Sequence, residues 1–300
     1  MAPRRSAAAY AGAMDNRDEV SAFLRSRRAR ISPEDTGLPV HGRRRVPGLR
    51  RGEVAMLAGV SVEYYTRLER GNLKGVSDAV LDALCLALRL DDTERMHLHD
   101  LARAAGPQPR QRARAGKGVV RPGVLRIIDG MPGLPAFVKN ARLDVLAANA
   151  LGRALFSPMH EDPSCGANTA RFAFLSPAAR TFYLDWERVS REAVGVLRVA
   201  AGKNPHDREL SNLIGELSTR SDAFRVMWGS QVVHVHNRGV KRFRHPVVGE
   251  LELDHETLDL SAEDGLGVVV YSAPPASAAE DGLKLLATWA ATTTPQPADG

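Results

Sequence analysis

The chain has few cysteines and no long apolar segment. Cys85 and Cys165 are the only cysteines among 300 residues, and neither lies in a C-x-x-C pair. This usage argues against a disulfide framework or a zinc knuckle and fits a reducing cytoplasm. No apolar run reaches about 18 residues, so no transmembrane helix is expected. The first residues are basic but lack a sustained apolar core, and we interpret them as a disordered leader, not a signal peptide.

The sequence also lacks the common short motifs of catalysis. It contains no G-x-S-x-G, P-loop or G-x-G-x-x-G sequence. Cys165 has no recognisable base partner. His234 and His236 share one face if their segment is a strand, and with His245 and His255 they could form a metal site, but no acidic residue stands at a supporting spacing. We therefore expect no enzyme activity and no metal.

Positive charge is concentrated in the first part of the chain. The formal net charge is +6, and residues 1–121 carry 23 basic and 14 acidic side chains, whereas the remainder carries 18 and 21. A basic excess can simply reflect a solvated surface. Its coincidence with the motif described next indicates that the N-terminal part binds a polyanion.

Residues Leu49 to Gly71 predict two short helices joined by a tight turn. Ser61 is a favourable N-cap for the second helix, and Gly71 can adopt the left-handed backbone conformation that ends it. Ala55 is small where the helices cross, and Gly59 supplies positive φ in the turn. An ordinary helical hairpin could share this pattern, but it is typical of a helix-turn-helix, whose second helix enters the DNA major groove.

The exposed side of that second helix is expected to contact DNA. Arg67 suits guanine and Glu63 suits cytosine, while Val62 and Thr66 offer methyl groups to thymine. Tyr64 contacts phosphate or packs within the domain. The basic side chains before the motif are expected to bind phosphates without reading sequence. The other residues assigned to the interface are Arg43, Arg44, Arg45, Arg50 and Ser61.

Three further helical patterns complete an all-α domain of five helices over residues 15–105. The first runs from Val20 to Ile31, and Ser77 caps another. Asp91 and Glu94 resemble a capping box that opens the last. Residues 106–121 form a basic linker, whose arginines follow a phosphate backbone or merely keep the linker soluble.

Residues 122–291 predict an α+β domain. Two β-prone runs flank residues 139–142, and four more lie between residues 232 and 271. One long helix is expected from Ser176 to about Ala200, others follow to residue 228, and a last one spans about 278–290. This order favours an antiparallel sheet with helices on one face, which leaves a cavity for an apolar ligand. The residues expected to line it, or to bind a polar head group, are Phe137, Val145, Leu146, Trp186, Arg225, Trp228, Val233, His234 and Arg242.

Both parts of the chain resemble a known family. Leu49 to Gly71, with the following SDAVLDALCLALRLDDTERMHLHDLA, is similar to the Cro/repressor-type (XRE) helix-turn-helix family. The segments PGLPAFVKNARLDVLAANALGRALFSP and KRFRHPVVGELELDHETLDL resemble the MmyB-like regulators, in which such a domain precedes a PAS-like ligand-binding domain. The resemblance implies a bacterial transcription regulator that binds a DNA operator as a homodimer, in the cytoplasm and on the nucleoid. It also implies a fatty-acid-like ligand and no other cofactor.

The resemblance carries one structural expectation and two departures. It implies that Glu69 forms a buried or semi-buried ion pair with Arg28 of the first helix. The family has glutamines at the positions of Val62 and Glu63, so an operator sequence cannot be transferred to this chain. Residues 231–233 read Gln-Val-Val where a His-Asp-Val-like segment is expected, which leaves the ligand preference open.

Two other functions stay open at this point. The C-terminal domain would serve only dimerisation or partner recruitment, or it would be an enzyme fused to a DNA-binding domain. If a ligand does act on DNA binding, the linker from Gly106 to Arg121 is the only connection that the sequence indicates. We therefore expect coupling through dimer geometry.

Overall fold

The computed structural model describes residues 16–37, 48–106, 119–205, 207–230, 238–261 and 265–293. The chain divides into two compact units. Unit 1 comprises residues 1–112, 198–216 and 226–234, and unit 2 comprises residues 113–197, 217–225 and 235–300. Two segments of the C-terminal part therefore belong to the same compact unit as the helix-turn-helix. The division does not follow the expected linker at residues 106–121.

The N-terminal part of unit 1 consists of helices. They are α1 (Asn16–Arg30), α2 (Arg51–Leu57), α3 (Val62–Glu69), α4 (Asp78–Ala87) and α5 (Asp92–Ala105), with a 3-10 turn at Pro33–Thr36. Ser61, Ser77 and Asp91 each accept a hydrogen bond from the backbone N–H three residues later, as predicted. The five helices confirm the expected all-α arrangement, and their apolar faces meet in one core that includes Phe23, Val54, Tyr65, Leu84 and Leu98.

One close approach explains a glycine of the motif. Gly71 has φ of +91°, and a Cβ atom there would lie 2.2 Å from the carbonyl oxygen of Arg17 in α1. Only glycine fits this backbone contact and tolerates this φ without strain. The end of the recognition helix therefore lies directly against the start of α1.

Unit 2 contains a five-stranded antiparallel sheet. Its strands are β1 (Ala136–Lys139), β2 (Val145–Ala148), β3 (Arg238–His245), β4 (Gly249–Asp259) and β5 (Gly267–Ser272), in the order β2-β1-β5-β4-β3. In the β1–β2 turn, Asn140 Oδ1 accepts hydrogen bonds from the backbone N–H groups of Arg142 and Asp144. The predicted hairpin around residues 139–142 is confirmed. The expected strand at residues 232–235 falls outside the described residues.

In the described part of the chain, nine more helices follow α5. They are α6 (Pro122–Asp129), α7 (Ala150–Leu155), α8 (Ser157–His160), α9 (Thr169–Leu175), α10 (Ala178–Phe182), α11 (Trp186–Lys203), α12 (Arg208–Arg220), α13 (Asp222–Gly229) and α14 (Ala278–Thr293). The boundary between the units falls within α11, α12 and α13.

The long helix expected from Ser176 is interrupted. Tyr183 forms an antiparallel bridge with Phe243, and the backbone N–H of Leu184 donates to the carbonyl oxygen of Arg242 at 3.0 Å. These residues leave the helix because they cover the edge of β3, where backbone groups would otherwise lack partners. The prediction of one helix was therefore wrong, and two helices, α10 and α11, replace it.

Both faces of the sheet are partly covered. We call the face that carries Phe137, Phe243 and Leu253 the inner face. These side chains pack against helices in the larger apolar core of unit 2. On the other face, Val138 packs with Val124 of α6 and with neighbouring apolar residues. Any ligand among the aromatic residues of unit 2 would therefore bind on the inner face.

Candidate DNA-binding and ligand-binding sites

The recognition helix α3 presents its predicted DNA-contacting side chains outward. Gly59 has φ of +65° in the turn that precedes it. The Val62 side chain is 45% exposed, Glu63 and Arg67 are exposed, and Thr66 is half-buried. By contrast Tyr65 and Leu68 are fully buried, as expected. The burial pattern supports a groove-binding role for the exposed residues, and their contacts with bases remain a prediction.

Tyr64 packs against the side chain of Arg67. The guanidinium of Arg67 lies over the Tyr64 ring, 4.7 Å from the ring centroid. A cation over an aromatic face is attracted by the ring quadrupole and loses freedom of motion. Tyr64 is half-buried against the core of unit 1. It therefore fixes the orientation of the side chain that we expect to read guanine.

A surface depression of about 490 Å³ lies along the outward face of α3. Its lining residues are Arg17, Val62, Glu63, Thr66, Arg67, Arg70 and Asn72. Three of them were missed by the sequence analysis. Arg70 could have been found, because it follows Glu63 and Arg67 at the spacing of one helical face. Arg17 could not, because its position depends on the close approach of α1 at Gly71.

The buried carboxylate of Glu69 holds the motif together. Arg28 donates to it from Nη2 at 2.8 Å and from Nε at 3.2 Å, and Arg51 Nε donates at 3.1 Å. Arg28 also donates to the carbonyl oxygen of Leu49 at 2.7 Å. The implied pair of Glu69 with Arg28 is confirmed, and it joins α1 to both helices of the motif.

Of the four arginines predicted to bind phosphate, the structure describes only Arg50. Arg50 is exposed at the start of α2, and its backbone N–H donates to Glu53 Oε2 at 2.6 Å. The Glu53 carboxylate thus caps the start of α2, and a phosphate contact of the exposed Arg50 side chain stays a prediction. Arg43, Arg44 and Arg45 lie outside the described residues.

A buried ion pair links the C-terminal part of unit 1 to α1. Arg198 of α11 donates from Nη1 to Oε1 of Glu19 at 2.6 Å, and both side chains are buried. Burial opposes the charged form of Glu19, but His97 and Arg198 overcome it and hold its pKa below the ordinary value. Next to the pair, a Cβ atom on Gly202 would lie 2.9 Å from the ring of His97. The end of α11 therefore packs closely on the helix-turn-helix domain.

Trp228, which was predicted to line the ligand pocket, packs against Arg198 in this cluster. The guanidinium of Arg198 lies 4.3 Å from the centroid of the Trp228 ring and also donates to its carbonyl oxygen. Trp228 belongs to unit 1, whereas Phe137 and Val145 belong to unit 2. The expectation that Trp228 lines a pocket with Phe137 and Val145 stays a prediction.

The other predicted ligand residues are also distributed. Phe137 is buried on the inner face, with Val145 and Trp186 at the margin of that core. Leu146 packs on the opposite face, because neighbouring strand residues point to opposite sides, and its assignment to the pocket was wrong. Arg225 is exposed and donates to Ser218 and Asp222. Val233 and His234 lie outside the described residues.

The remaining polar candidates have structural partners. Arg242 is half-exposed and pairs with Asp185. A nitrogen of His245 lies 3.0 Å from the carbonyl oxygen of Ala154, and one of His255 lies 2.7 Å from that of Gly239. Within the described ranges no group of histidine, cysteine and acidic side chains could hold a metal ion. His234 and His236 fall outside them.

The two cysteines are buried and not bonded to each other. Burial raises the pKa of each thiol to about 11. Thiols with so high a pKa are poor nucleophiles at neutral pH. Cys85 and Cys165 therefore belong to the apolar cores of their units.

The fold and the outward recognition helix define a helix-turn-helix DNA-binding protein. A family model of the helix-turn-helix domain matches residues 19–98. A second, the MmyB-like transcription regulator ligand binding domain, matches residues 120–286, which is more than half of the chain. The chain belongs to the MmyB-like transcription regulators. No curated protein matches it.

These matches assign a DNA-binding part and a small-molecule-binding part to one regulator. The ligand-binding family spans residues 120–286, yet residues 198–216 and 226–234 belong to the compact unit of the helix-turn-helix. No described helix is long and apolar enough to cross a bilayer. The expectation that residues 106–121 are the only connection was wrong, because α11 contributes to both units.

Proposed function

We propose that this regulator binds a specific DNA operator with an affinity set by a small apolar, fatty-acid-like ligand in its C-terminal domain. The observation that carries the proposal is the course of α11. Residues 186–197 of this helix belong to unit 2, and residues 198–203 belong to the unit of the helix-turn-helix. A ligand that favours one arrangement of α11 would thereby act on the DNA-binding unit.

The DNA-binding half of the proposal rests on α3. Val62, Glu63, Thr66 and Arg67 would read base edges, and Arg50 would bind phosphate. We propose a homodimer whose two recognition helices match half-sites about 34–36 Å apart, or a multiple of that distance. A ligand can alter operator affinity only if it binds one dimer arrangement better than the other.

The protein would act in the cytoplasm, bound to the nucleoid, and as a binding protein, not an enzyme. Both cysteines are buried free thiols, which suits a reducing compartment. The titratable side chains described above form ion pairs and hydrogen bonds to backbone carbonyl groups. The matched families are regulatory. These observations support binding as the function.

The experiment begins with selection of the operator from a random duplex pool by the full chain. Operator affinity is then measured with and without decanoate as the probe, and native mass spectrometry of the same sample counts subunits and co-purified lipid. We expect two subunits per operator and a change of about 5–150-fold in affinity, the usual range of allosteric coupling.

Three results would count against the proposal. Operator affinity that stays the same with bound carboxylates would reduce the C-terminal domain to dimerisation or partner recruitment. A monomer on a single half-site would contradict the proposed dimer. Turnover of the probe, seen as a new mass in solution, would favour an enzyme domain.

A further inference from the structure

Gly52 lies in the first turn of α2, directly beside the first residue of the recognition helix. It is the second residue of α2 and is half-buried. A Cβ atom built on Gly52 would lie 3.9 Å from Cγ2 of Val62. Apart from α2 itself, no other heavy atom of the described residues would come within 4 Å of it. The space next to Gly52 is therefore bounded on one side by a methyl group of Val62 and is otherwise open.

Neither the backbone conformation nor crowding requires a glycine at this position. Gly59 and Gly71 have positive φ, whereas Gly52 does not and lies within a helix. A carbon–carbon distance of 3.9 Å is an ordinary van der Waals contact, so an alanine would fit. Alanine is also the better helix former. The fold of the motif therefore does not account for Gly52.

The surface around Gly52 is apolar and accessible. The Val62 side chain is 45% exposed although it is fully apolar. Met56, four residues after Gly52 and thus on the same face of α2, is 68% exposed. We call the surface formed by Gly52 and Val62 the apolar notch, and Met56 continues it along α2. An apolar group is the partner that such a surface favours.

The apolar notch adjoins the face of α3 that is expected to enter the major groove. Val62 lines the surface depression along that face together with Glu63, Thr66 and Arg67. The apolar group that base edges present in the major groove is the C5-methyl group of thymine. A methyl group in contact with Cγ2 of Val62 meets only hydrogen atoms at Gly52. The notch therefore suits a thymine methyl group in size and in polarity.

We propose that Gly52 is a specificity-determining residue, because it leaves Cγ2 of Val62 open to the C5-methyl group of one operator thymine. The inference rests on the proposed function, in which Val62 reads a base edge. It adds the residue of α2 that controls this contact. A larger side chain at position 52 would fill the space beside Cγ2 and separate Val62 from the methyl group.

The test removes single methyl groups from the DNA. Each thymine of the selected operator is replaced in turn by deoxyuridine, which lacks only the C5-methyl group. The affinity of the full chain for the thymine duplex, divided by that for the deoxyuridine duplex, is the methyl effect at that position. Val62→Ala identifies the thymine at Val62, because the methyl effect should disappear at that position alone. Gly52→Ala and Gly52→Gln are then measured at this thymine and at all others.

Gly123 provides the matched control. It is also the second residue of a helix, α6 of unit 2, and a Cβ atom on it would have no neighbouring heavy atom within 4 Å. Gly123→Ala and Gly123→Gln therefore make the same changes outside the DNA-binding part. Thermal unfolding reports whether each variant is folded. Gly52→Ala should be at least as stable as the unaltered chain, because alanine favours the helix.

We expect a methyl effect of about fourfold at the Val62 thymine, which corresponds to one buried methylene group. Gly52→Ala and Gly52→Gln should lower it to less than about twofold there and leave the other thymines unchanged. The Gly123 variants should behave as the unaltered chain. An unchanged methyl effect in the Gly52 variants, or no thymine whose methyl effect depends on Val62, overturns the proposal. Equal losses on thymine and deoxyuridine duplexes also overturn it and would indicate a backbone phosphate next to Gly52.

The outcome is separable from that of the proposed function. If the methyl effect depends on Gly52 but decanoate leaves operator affinity unchanged, the role of Gly52 stands and the regulatory proposal fails. If decanoate changes operator affinity but the methyl effect is the same in the Gly52 variants, regulation stands and the role of Gly52 is refuted.

Discussion

Glu19 and Arg198 stand 179 residues apart in the sequence and form a buried ion pair with an Oε1–Nη1 distance of 2.6 Å. Glu19 belongs to the first helix of the DNA-binding part, and Arg198 to the region matched by the ligand-binding family. The pair therefore joins two regions of different family assignment within one compact unit. It makes the end of α11, residues 198–203, a structural part of the unit that contains the helix-turn-helix.

The Glu19–Arg198 pair is predicted to be strongly coupled in stability. Arg198→Met leaves a buried carboxylate without its cation and should lower the free energy of unfolding by about 3–5 kcal/mol. Glu19→Gln combined with Arg198→Met should recover a large part of that loss, because no charge then remains in the site. Urea unfolding of the two single variants and the double variant measures the coupling.

The matched control is the exposed pair of Arg191 with Glu187, whose side chains are 50% and 65% exposed. Arg191→Met should change stability by less than about 1 kcal/mol. Additive effects of Glu19→Gln and Arg198→Met would show that the buried pair is not coupled.

Removal of the Glu69 carboxylate is predicted to destabilise the recognition motif. Glu69→Ala strands Arg28 and Arg51 without their shared acceptor and should cost about 3–5 kcal/mol. The control Glu63→Ala alters an exposed carboxylate on the same helix and should cost less than about 0.5 kcal/mol. Thermal or urea unfolding compares them, and equal effects would contradict the structural role of Glu69.

The predicted DNA-contacting side chains should fall into two classes, those that read bases and those that bind phosphates. Arg67→Ala should cost about 1–3 kcal/mol on the selected operator and relax preference at one base pair. Arg50→Ala should weaken binding to all sequences alike and reduce the salt slope by about 1. Arg44→Ala is expected to behave like Arg50→Ala. Titrations of operator and scrambled duplexes at several salt concentrations would reject this division if the variants lose affinity in the same way.

Much of the DNA-binding part could be predicted from the sequence, because its signals are local. Ser61, Ser77 and Asp91 cap helices three residues before their partners, and the apolar spacing fixes which face of α3 is buried. Glu69 with Arg28 came from the family resemblance. Arg17 escaped prediction, because only the tertiary approach at Gly71 brings it to the recognition helix.

The ligand-binding part was less predictable, because its site depends on strand register and on contacts between distant segments. Val145 and Leu146 are neighbours in sequence but lie on opposite faces. The interruption of the long helix at Tyr183 depends on the edge of a strand about sixty residues later, formed by Phe243.

We propose that ligand binding reaches the DNA-binding unit through the end of α11. Operator affinity of the full chain, with and without saturating decanoate, tests it in the unaltered protein and in the Glu19→Gln and Arg198→Met double variant. We expect decanoate to change operator affinity in the unaltered protein. The double variant should bind both decanoate and operator but show no such change. An equal response in both proteins, or no response in the unaltered chain, would contradict this coupling through α11.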